Sequence, residues 1–373
     1  MWYSNIAIAL IVKLIIRSNE MNIPKMKIGD LTFKIPIIQG GMGIGVSRSS
    51  LASAVANEGG LGVISGAQIG YEELDFETNS KEANIRTIKS EITKAKEKSP
   101  DGFIGINLMV AMKNYAEMVK AAVEAKVDVI ISGAGLPLDL PALVDNTKVK
   151  IIPIVSSLKA ARIITTSWRK NYNREADAII IEGPEAGGHL GFKYNELIEH
   201  TTQTLETIVV EVLEYLKDSN IEIPVIAAGG IFSGADIGKF LKLGASGVQM
   251  ATRFVTTPEC DASDEFKKAY LDAKEEDIVI TNSPVGLPGR ALYNNFLKKR
   301  DITKREAITK CYACLNKCDP TQTPYCITKA LVTSVKGNVQ DGLMFVGSNV
   351  YKCTKIESVK DIIAGLMLEL QTV

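Results

Sequence analysis

Histidine and cysteine are scarce in this sequence of 373 residues, and its charges cancel. His189 and His200 are the only histidines, which excludes a metal site built mainly from histidine. Six cysteines are too few for a disulfide scaffold in a chain of this length. The 43 basic and 43 acidic residues give a formal net charge of zero. The sequence therefore lacks the clustered basic excess that binding to nucleic acid requires.

Long apolar segments are also missing. The stretch from Asn5 to Ile16 is almost wholly apolar, but a helix needs about 20 such residues to cross a bilayer. It lacks the basic start and the small-residue cleavage site of a secretory signal. We interpret residues 1–20 as an extension before a natural start at Met21, with a membrane-associating segment or a docked helix as alternatives. We expect a cytoplasmic protein without stable membrane insertion.

Eight short apolar segments follow one another, as expected for parallel strands that are buried on both faces. They are Ile35–Ile38, Leu61–Ile64, Phe103–Ile106, Val127–Ile131, Lys150–Val155, Ala178–Ile181, Pro224–Ala227 and Gly247–Met250. Helical patterns lie between most of them, for example at Glu82–Lys98 and Gln203–Lys217. This alternation predicts an α/β fold, a closed (β/α)8 TIM barrel over residues 21–255, because an open doubly wound sheet rarely needs eight units. Residues 256–373 are expected to form a C-terminal elaboration packed on the barrel.

The carboxyl ends of barrel strands carry the active site in this fold. Strand one ends in a glycine-rich segment at Gly40–Gly45, and strand three ends at Asn107, whose amide can pair with a polar heterocycle. His189 follows strand six in a glycine-flanked loop, and histidine suits proton transfer near neutral pH. A histidine that only satisfies the loop backbone is the alternative. His200 lies in a polar segment and is expected at the surface.

A phosphate site is predicted after strands seven and eight, where this fold often binds phosphate through backbone N–H groups and a helix N-terminus. Gly229 and Gly230 precede Ser233 and a helical pattern, and Gln249–Thr252 ends strand eight. A phosphate site beside glycine-lined strand ends suggests FMN. No G-x-G-x-x-G motif follows the first strand, so a Rossmann dinucleotide site is not predicted.

Five segments occur in order at these strand ends: PIIQGGMG, GINL, EGPEAGGHLG, IPVIAAGGI and GVQMATRF. Together they resemble the FMN-dependent nitronate monooxygenase (2-nitropropane dioxygenase-like) family, which also includes flavin-containing enoyl-acyl carrier protein reductases. The similarity runs from about Met26 to Phe296, with Leu287–Ala291 as a further family segment. It implies that His189 is catalytic. The FMN contacts that it implies are Gly41, Met42, Asn107, Glu182, Gly187, Gly188, Gly229, Gly230, Gln249, Met250, Ala251 and Thr252.

Glu182 departs from the monooxygenase pattern. Members of that branch commonly carry glutamine here, whereas the reductases tend to carry glutamate. A carboxylate beside the flavin disfavours the anionic reduced ring unless the carboxylate is protonated or paired. Lys159, just after strand five, either offsets this charge or lies on a helix surface.

Four cysteines are clustered as Cys311-x2-Cys314-x3-Cys318-x7-Cys326. Such clusters in intracellular proteins bind metal more often than they form disulfides. The compact run with a distant fourth cysteine resembles the iron–sulfur segments of flavin reductases of the old yellow enzyme type. A zinc site and free thiols that pack a proline-rich loop are the alternatives. Cys260 and Cys353 stand alone and are expected to be inert.

The leading functional hypothesis is FMN-dependent oxidation of alkyl nitronates or propionate-3-nitronate by O2, which yields a carbonyl compound and nitrite. The alternative is NAD(P)H-dependent reduction of enoyl thioesters, such as enoyl-acyl carrier protein. A flavin-binding protein without turnover is the third class, and the presence of His189 argues against it. The expected partner is a small-molecule substrate, and a homodimer is left open.

Overall fold

The computed structural model describes residues 24–373. The predicted extension at residues 1–20 and the proposed start at Met21 lie outside the described residues. The first described elements are the antiparallel strands β1 (Met26–Ile28) and β2 (Leu31–Phe33). Met26, Ile28 and Phe33 of this hairpin are buried in the interior of a barrel, where Phe33 packs edge-on against Phe103 at the start of a barrel strand. The hairpin therefore covers the amino-terminal end of the barrel.

Eight parallel strands form a closed barrel, which confirms the predicted fold class. Their bounds are β3 (Ile37–Gln39), β4 (Leu61–Ser65), β5 (Phe103–Met109), β6 (Val129–Gly133), β7 (Lys150–Val155), β8 (Ile179–Glu182), β10 (Val225–Ala228) and β11 (Gly247–Met250). Closure occurs where β11 pairs with β3, with Met250 opposite Gln39. All eight strands coincide with predicted segments.

Helices surround the barrel. They are α1 (Ser49–Asn57), α2 (Ser80–Lys98), α3 (Tyr115–Glu124), α4 (Leu140–Leu143), α5 (Leu158–Tyr172), α6 (Tyr194–Ile198), α7 (Leu205–Asp218) and α8 (Gly234–Lys242). Helix α5 was not predicted from the sequence. The Ser157 side chain caps its first turn by accepting a hydrogen bond from the Ala160 N–H. Its buried residues Ile164 and Trp168 are four positions apart and therefore share one helix face.

Part of the chain after the barrel lies over its carboxyl end, whereas the last helix, Val359–Leu370, packs against the outer helices Ser49–Asn57 and Gly234–Lys242. Strands β12 (Ile278–Asn282) and β13 (Pro288–Leu292) form a hairpin, and β13 also pairs with the short strand β9 (Gly188–His189). The remaining helices are α9 (Thr252–Val255), α10 (Asp264–Asp272), α11 (Asn295–Ile302), α12 (Ile327–Val335) and α13 (Val359–Leu370). In residues 24–373, none of the helices combines the length and apolar character needed to cross a membrane.

Candidate active site

One pocket opens at the carboxyl ends of the barrel strands, and the structure brings the predicted site residues together around it. His189 lines this pocket with all twelve predicted FMN contacts, namely Gly41, Met42, Asn107, Glu182, Gly187, Gly188, Gly229, Gly230, Gln249, Met250, Ala251 and Thr252. His200 is exposed and lies elsewhere, as expected. Lys159 is also exposed on α5 and does not line the pocket, so its helix-surface interpretation is the one that holds.

Glycines shape the wall of the pocket where a flat ligand has to come close. A β-carbon on Gly41 would lie 2.6 Å from the Asn107 β-carbon, so a side chain does not fit there. Gly229 and Gly230 have φ angles of +100° and +76°, which favour glycine strongly. Neither glycine N–H takes part in the turn and loop hydrogen bonds formed within residues 24–373. Both remain available to an acceptor in the pocket.

Gln249 supplies a buried group that lacks a partner. Its Oε1 atom accepts no hydrogen bond from any of the residues that the structure describes. Because a buried acceptor left unpaired costs about 1–3 kcal/mol, this oxygen fits a ligand that brings an N–H group. A flavin ring carries such a group together with carbonyl oxygens, so the glycine cradle and Gln249 fit FMN.

The phosphate prediction needs one correction. The N-terminus of α8 is not free, because its leading N–H groups already have carboxylate or hydroxyl partners. Asp236 accepts from the Ser233 N–H at 2.8 Å, and Glu369 of α13 accepts from the Gly234 N–H at 2.7 Å. A phosphate at this end of the pocket would therefore rely on loop N–H groups, those of Gly229 and Gly230 among them.

His189 lies on β9, and its ring is held from two sides. Its Nε2 atom is 2.7 Å from the Ser283 hydroxyl, and the Phe345 ring packs edge-on with centroids 4.9 Å apart. Burial lowers the pKa of His189 to about 4. The imidazole is thus neutral at pH 7, and it suits a hydrogen-bond donor better than a cationic acid.

The loop that carries His189 is fixed by the C-terminal chain. Gly289 of β13 pairs with His189, and Arg290 pairs with Gly188. The Arg290 guanidinium also donates to the carbonyl oxygens of Pro184 and Ala186, at 2.7 and 2.5 Å. A rigid loop holds the imidazole in one orientation, as an acid–base or donor role requires.

Glu182 ends β8 and faces the pocket. It is partly accessible, but only from the pocket itself, because protein surrounds its other sides. Burial raises the pKa of Glu182 to about 7. The carboxyl group is therefore about half protonated at neutral pH, and the protonated form adds no charge beside a flavin.

We expect Glu182→Gln to remove an inflection near pH 7 from the pH dependence of kcat/KM. Above pH 7 the wild-type carboxyl group loses its proton and places a negative charge in the pocket, so activity should fall as pH rises. At pH 8 about nine-tenths of the group is ionised, so the neutral variant should be up to about tenfold faster than wild type.

Glu185→Gln is the matched control, since Glu185 is the other glutamate lining this pocket. This variant should keep the inflection. An inflection that persists unchanged in Glu182→Gln would assign it to another group.

An apolar arm of the pocket extends under the C-terminal chain. Its walls come from β5, α12 and the segments around them, and they include Met109, Met112, Leu315, Ile327, Leu331 and Leu343. An isolated bridge between Met112 and Leu315 holds the C-terminal chain against the barrel here. The pocket is therefore larger than a cofactor cradle alone.

A family model for nitronate monooxygenase matches residues 25–369, which is nearly the whole described chain. The chain belongs to the nitronate monooxygenase family. Members of this family are FMN-dependent oxidoreductases. When bound, FMN supplies hydride and single-electron transfer.

Curated relatives in this family carry different names. The chain is 31% identical over 270 residues to (3aS,4S,5R,7aS)-5-hydroxy-7a-methyl-1-oxo-octahydro-1H-indene-4-carboxyl-CoA dehydrogenase of Mycobacterium tuberculosis, covering 72% of this chain and 66% of that protein. The match therefore spans slightly less than two thirds of that relative. The chain is also 30% identical over 291 residues to a probable nitronate monooxygenase of Staphylococcus aureus, covering 72% of this chain and 78% of the relative.

Solved structures share the architecture. FabK from Thermotoga maritima is 29% identical to this chain, with a TM-score of 0.71. The alignment covers 91% of this chain and 94% of FabK. A nitroalkane oxidase from Streptomyces ansochromogenes is 22% identical to this chain, with a TM-score of 0.68. The alignment covers 91% of this chain and 96% of the oxidase. At that identity the second likeness concerns the fold alone.

The four clustered cysteines lie within electrostatic range of one another, because Cys318 and Cys326 act on Cys314, and Cys311 acts on both Cys318 and Cys326. Within residues 24–373 no three histidine, cysteine, aspartate or glutamate side chains are arranged to hold a metal ion. Cys314 and Cys318 pack against an apolar cluster, and burial raises the pKa of Cys314 to about 11. Burial also raises the pKa values of Cys318 and Cys326, whereas Cys311 is exposed. A bound metal ion itself lowers the pKa of a thiol, so the metal site and the packing alternative both stay predictions.

The two isolated cysteines are buried. Burial raises the pKa of Cys260 to about 12 and that of Cys353 to about 11. Protonated, buried thiols are poor nucleophiles, which agrees with the expectation that both are inert.

Ser283 and Phe345 are site residues that the sequence analysis missed. Both contact His189, yet they lie 94 and 156 positions further along the chain. The segment Leu287–Ala291 was a signal, since it forms most of the strand that pairs with β9. Sequence alone did not reveal that pairing.

Proposed function

We propose that this enzyme uses NAD(P)H to reduce α,β-unsaturated acyl thioesters. The observation that carries the proposal is the charge of the pocket. No lysine or arginine lines it within the described part of the chain, and its carboxylic acids are Glu182 and Glu185. An anionic nitronate would meet carboxyl groups with no lysine or arginine in the pocket lining, whereas the reacting acyl group of an enoyl thioester carries no charge.

The apolar arm supports the same assignment. An acyl chain buries its methylene groups there, and each buried methylene contributes about 0.8 kcal/mol. A small alkyl nitronate would leave most of the arm unfilled. The dehydrogenase relative named above carries a carboxyl-CoA group in its name, and the family resemblance includes enoyl-acyl carrier protein reductases.

His189 has a defined task in this proposal. Reduction of the double bond builds negative charge on the thioester oxygen, and a neutral imidazole N–H can donate to that oxygen. Hydrogen bonds of this kind stabilise developing charge most effectively in a site that excludes water. The Ser283 hydroxyl forms a hydrogen bond with His189 Nε2, and His189 Nδ1 has no hydrogen-bond partner among residues 24–373. Nδ1 is therefore the nitrogen available to substrate.

Oxidation of alkyl nitronates or propionate-3-nitronate by O2 is the second candidate. The matching family model and the name of the staphylococcal relative favour it. Its products would be a carbonyl compound and nitrite. In this reaction His189 would contact the nitro oxygens.

The test compares both reactions on the FMN-loaded wild-type enzyme. Crotonyl-CoA and a C8 enoyl-CoA are supplied with NADH or NADPH without oxygen, and consumption of the nicotinamide is followed. Propionate-3-nitronate is supplied with O2, and nitrite is measured.

We expect kcat/KM to be at least about 100-fold higher with a thioester than with the nitronate, a difference of about 2.7 kcal/mol. The C8 substrate should have the lower KM because it fills the apolar arm. Nitrite release without thioester reduction would replace the proposal with the second candidate.

A further inference from the structure

A second cavity lies across α12 from the active-site pocket. It has a volume of about 330 Å³ and is lined by α11, α12 and residues 306–312. Thr328 and Leu331 of α12 line the active-site pocket, whereas Lys329 and Thr333 line this cavity. The two sets of lining residues do not overlap, so the cavity is a separate site.

Arg300 presents unpaired donors to this cavity. Its Nη2 atom pairs with Glu306 at 2.8 Å, and its guanidinium lies over the Phe296 ring at 5.2 Å. The other two nitrogens, Nε and Nη1, are buried and have no hydrogen-bond partner among the described residues. Guanidinium is always charged and cannot give up these protons, so it needs an acceptor here.

Tyr325 adds a third donor. Its side chain is 3% exposed, and its hydroxyl has no partner within residues 24–373. The ring packs at 90° against Phe296 with centroids 5.1 Å apart, which fixes the direction of the hydroxyl. Two unpaired side chains therefore line one cavity and are held by the same aromatic ring.

The charges around the cavity leave a positive excess. Its acidic residues are already paired, Glu306 with Arg300 and Asp341 with Lys299 at 2.7 Å. Lys329 lines the cavity and forms no ion pair with any residue that the structure describes. The cavity thus offers positive charge and donors without a free carboxylate.

We propose that this cavity binds a phosphate group through Arg300, Tyr325 and Lys329. Donors on three separate side chains suit a tetrahedral anion with several oxygens better than a planar carboxylate with two. Each unpaired guanidinium N–H can donate a charge-assisted hydrogen bond to a phosphate oxygen. The phosphate is either inorganic phosphate or the phosphorylated end of a nucleotide-bearing ligand.

Calorimetric titration of the FMN-loaded full chain tests the proposal, because bound FMN keeps the probes out of the cofactor's own phosphate position. The probes are inorganic phosphate and adenosine 3′,5′-bisphosphate. Arg300→Met should raise Kd about 10- to 100-fold, since it removes charged hydrogen bonds. Tyr325→Phe deletes one oxygen and keeps the packing, and it should raise Kd about 2- to 10-fold.

Lys298→Met is the matched control, because Lys298 lies on α11 but outside the cavity. Its Kd should stay within about twofold of wild type. Equal affinity for the two probes assigns the site to inorganic phosphate, and at least tenfold tighter binding of the bisphosphate assigns it to a nucleotide-bearing ligand. Absence of binding below about 10 mM, or wild-type affinity in both cavity variants, would overturn the proposal.

Discussion

Replacing His189 with alanine is expected to lower kcat/KM by about 10²- to 10³-fold, because a positioned hydrogen-bond donor to a developing oxyanion contributes about that much to the rate. FMN content and thermal stability should stay close to wild type, since the change removes a side chain at the pocket wall. The buried, neutral ring should also show no inflection of its own near pH 6.5, because its pKa is about 4. Steady-state rates from pH 5 to 9 check both expectations.

Two further variants separate catalysis from structure. His200→Asn replaces the other histidine, which is exposed. Asparagine is chosen because it tolerates the left-handed φ of +54° at His200. It should keep wild-type rates. Ser283→Ala should lower kcat more than it raises KM, because the imidazole stays but loses the group that orients it. If His189→Ala keeps more than a third of wild-type kcat/KM, a loss under about 1 kcal/mol, the histidine is structural.

Gly230→Val is expected to purify without flavin. The residue has φ of +76°, and a β-carbon there would lie 2.3 Å from a carboxylate oxygen of Glu185. The branched side chain would strain the loop and block the N–H groups that face the proposed phosphate position. The absorbance of released FMN, relative to protein, gives the measurement.

Gly337→Val controls for backbone strain. Gly337 has φ of +104°, and a β-carbon there would likewise lie closest to a glutamate oxygen, 2.9 Å from Glu265 Oε2. Gly337 does not line the pocket. This variant should lose stability and keep its flavin. A yellow Gly230→Val protein with normal flavin content would rule out the phosphate position.

The barrel could be predicted from sequence because its strands are continuous apolar runs. Segments such as Lys150–Val155 are buried on both faces, which gives a local signal that needs no partner. The place of the site at the strand ends followed from the same signal, because the fold brings those ends together, whereas the individual FMN contacts were implied by the family resemblance. His189 and Gly229 lie 40 positions apart, yet both line the one pocket.

Contacts made by the C-terminal chain could not be predicted in this way. Nothing near Ser283 in the sequence shows that a hairpin turn reaches His189, because the pairing of β13 with β9 depends on distant residues.

Because β13 pairs with β9, two separate parts of the chain line the active-site pocket. Barrel strand ends line the part of the pocket proposed to hold the cofactor, and residues beyond Ile278 line the part proposed to hold substrate. Substitutions in that wall can alter which molecules enter while the flavin cradle stays intact. A family with this design can diversify its chemistry by exchanging one contiguous stretch of chain. Relatives with different names can therefore share one barrel.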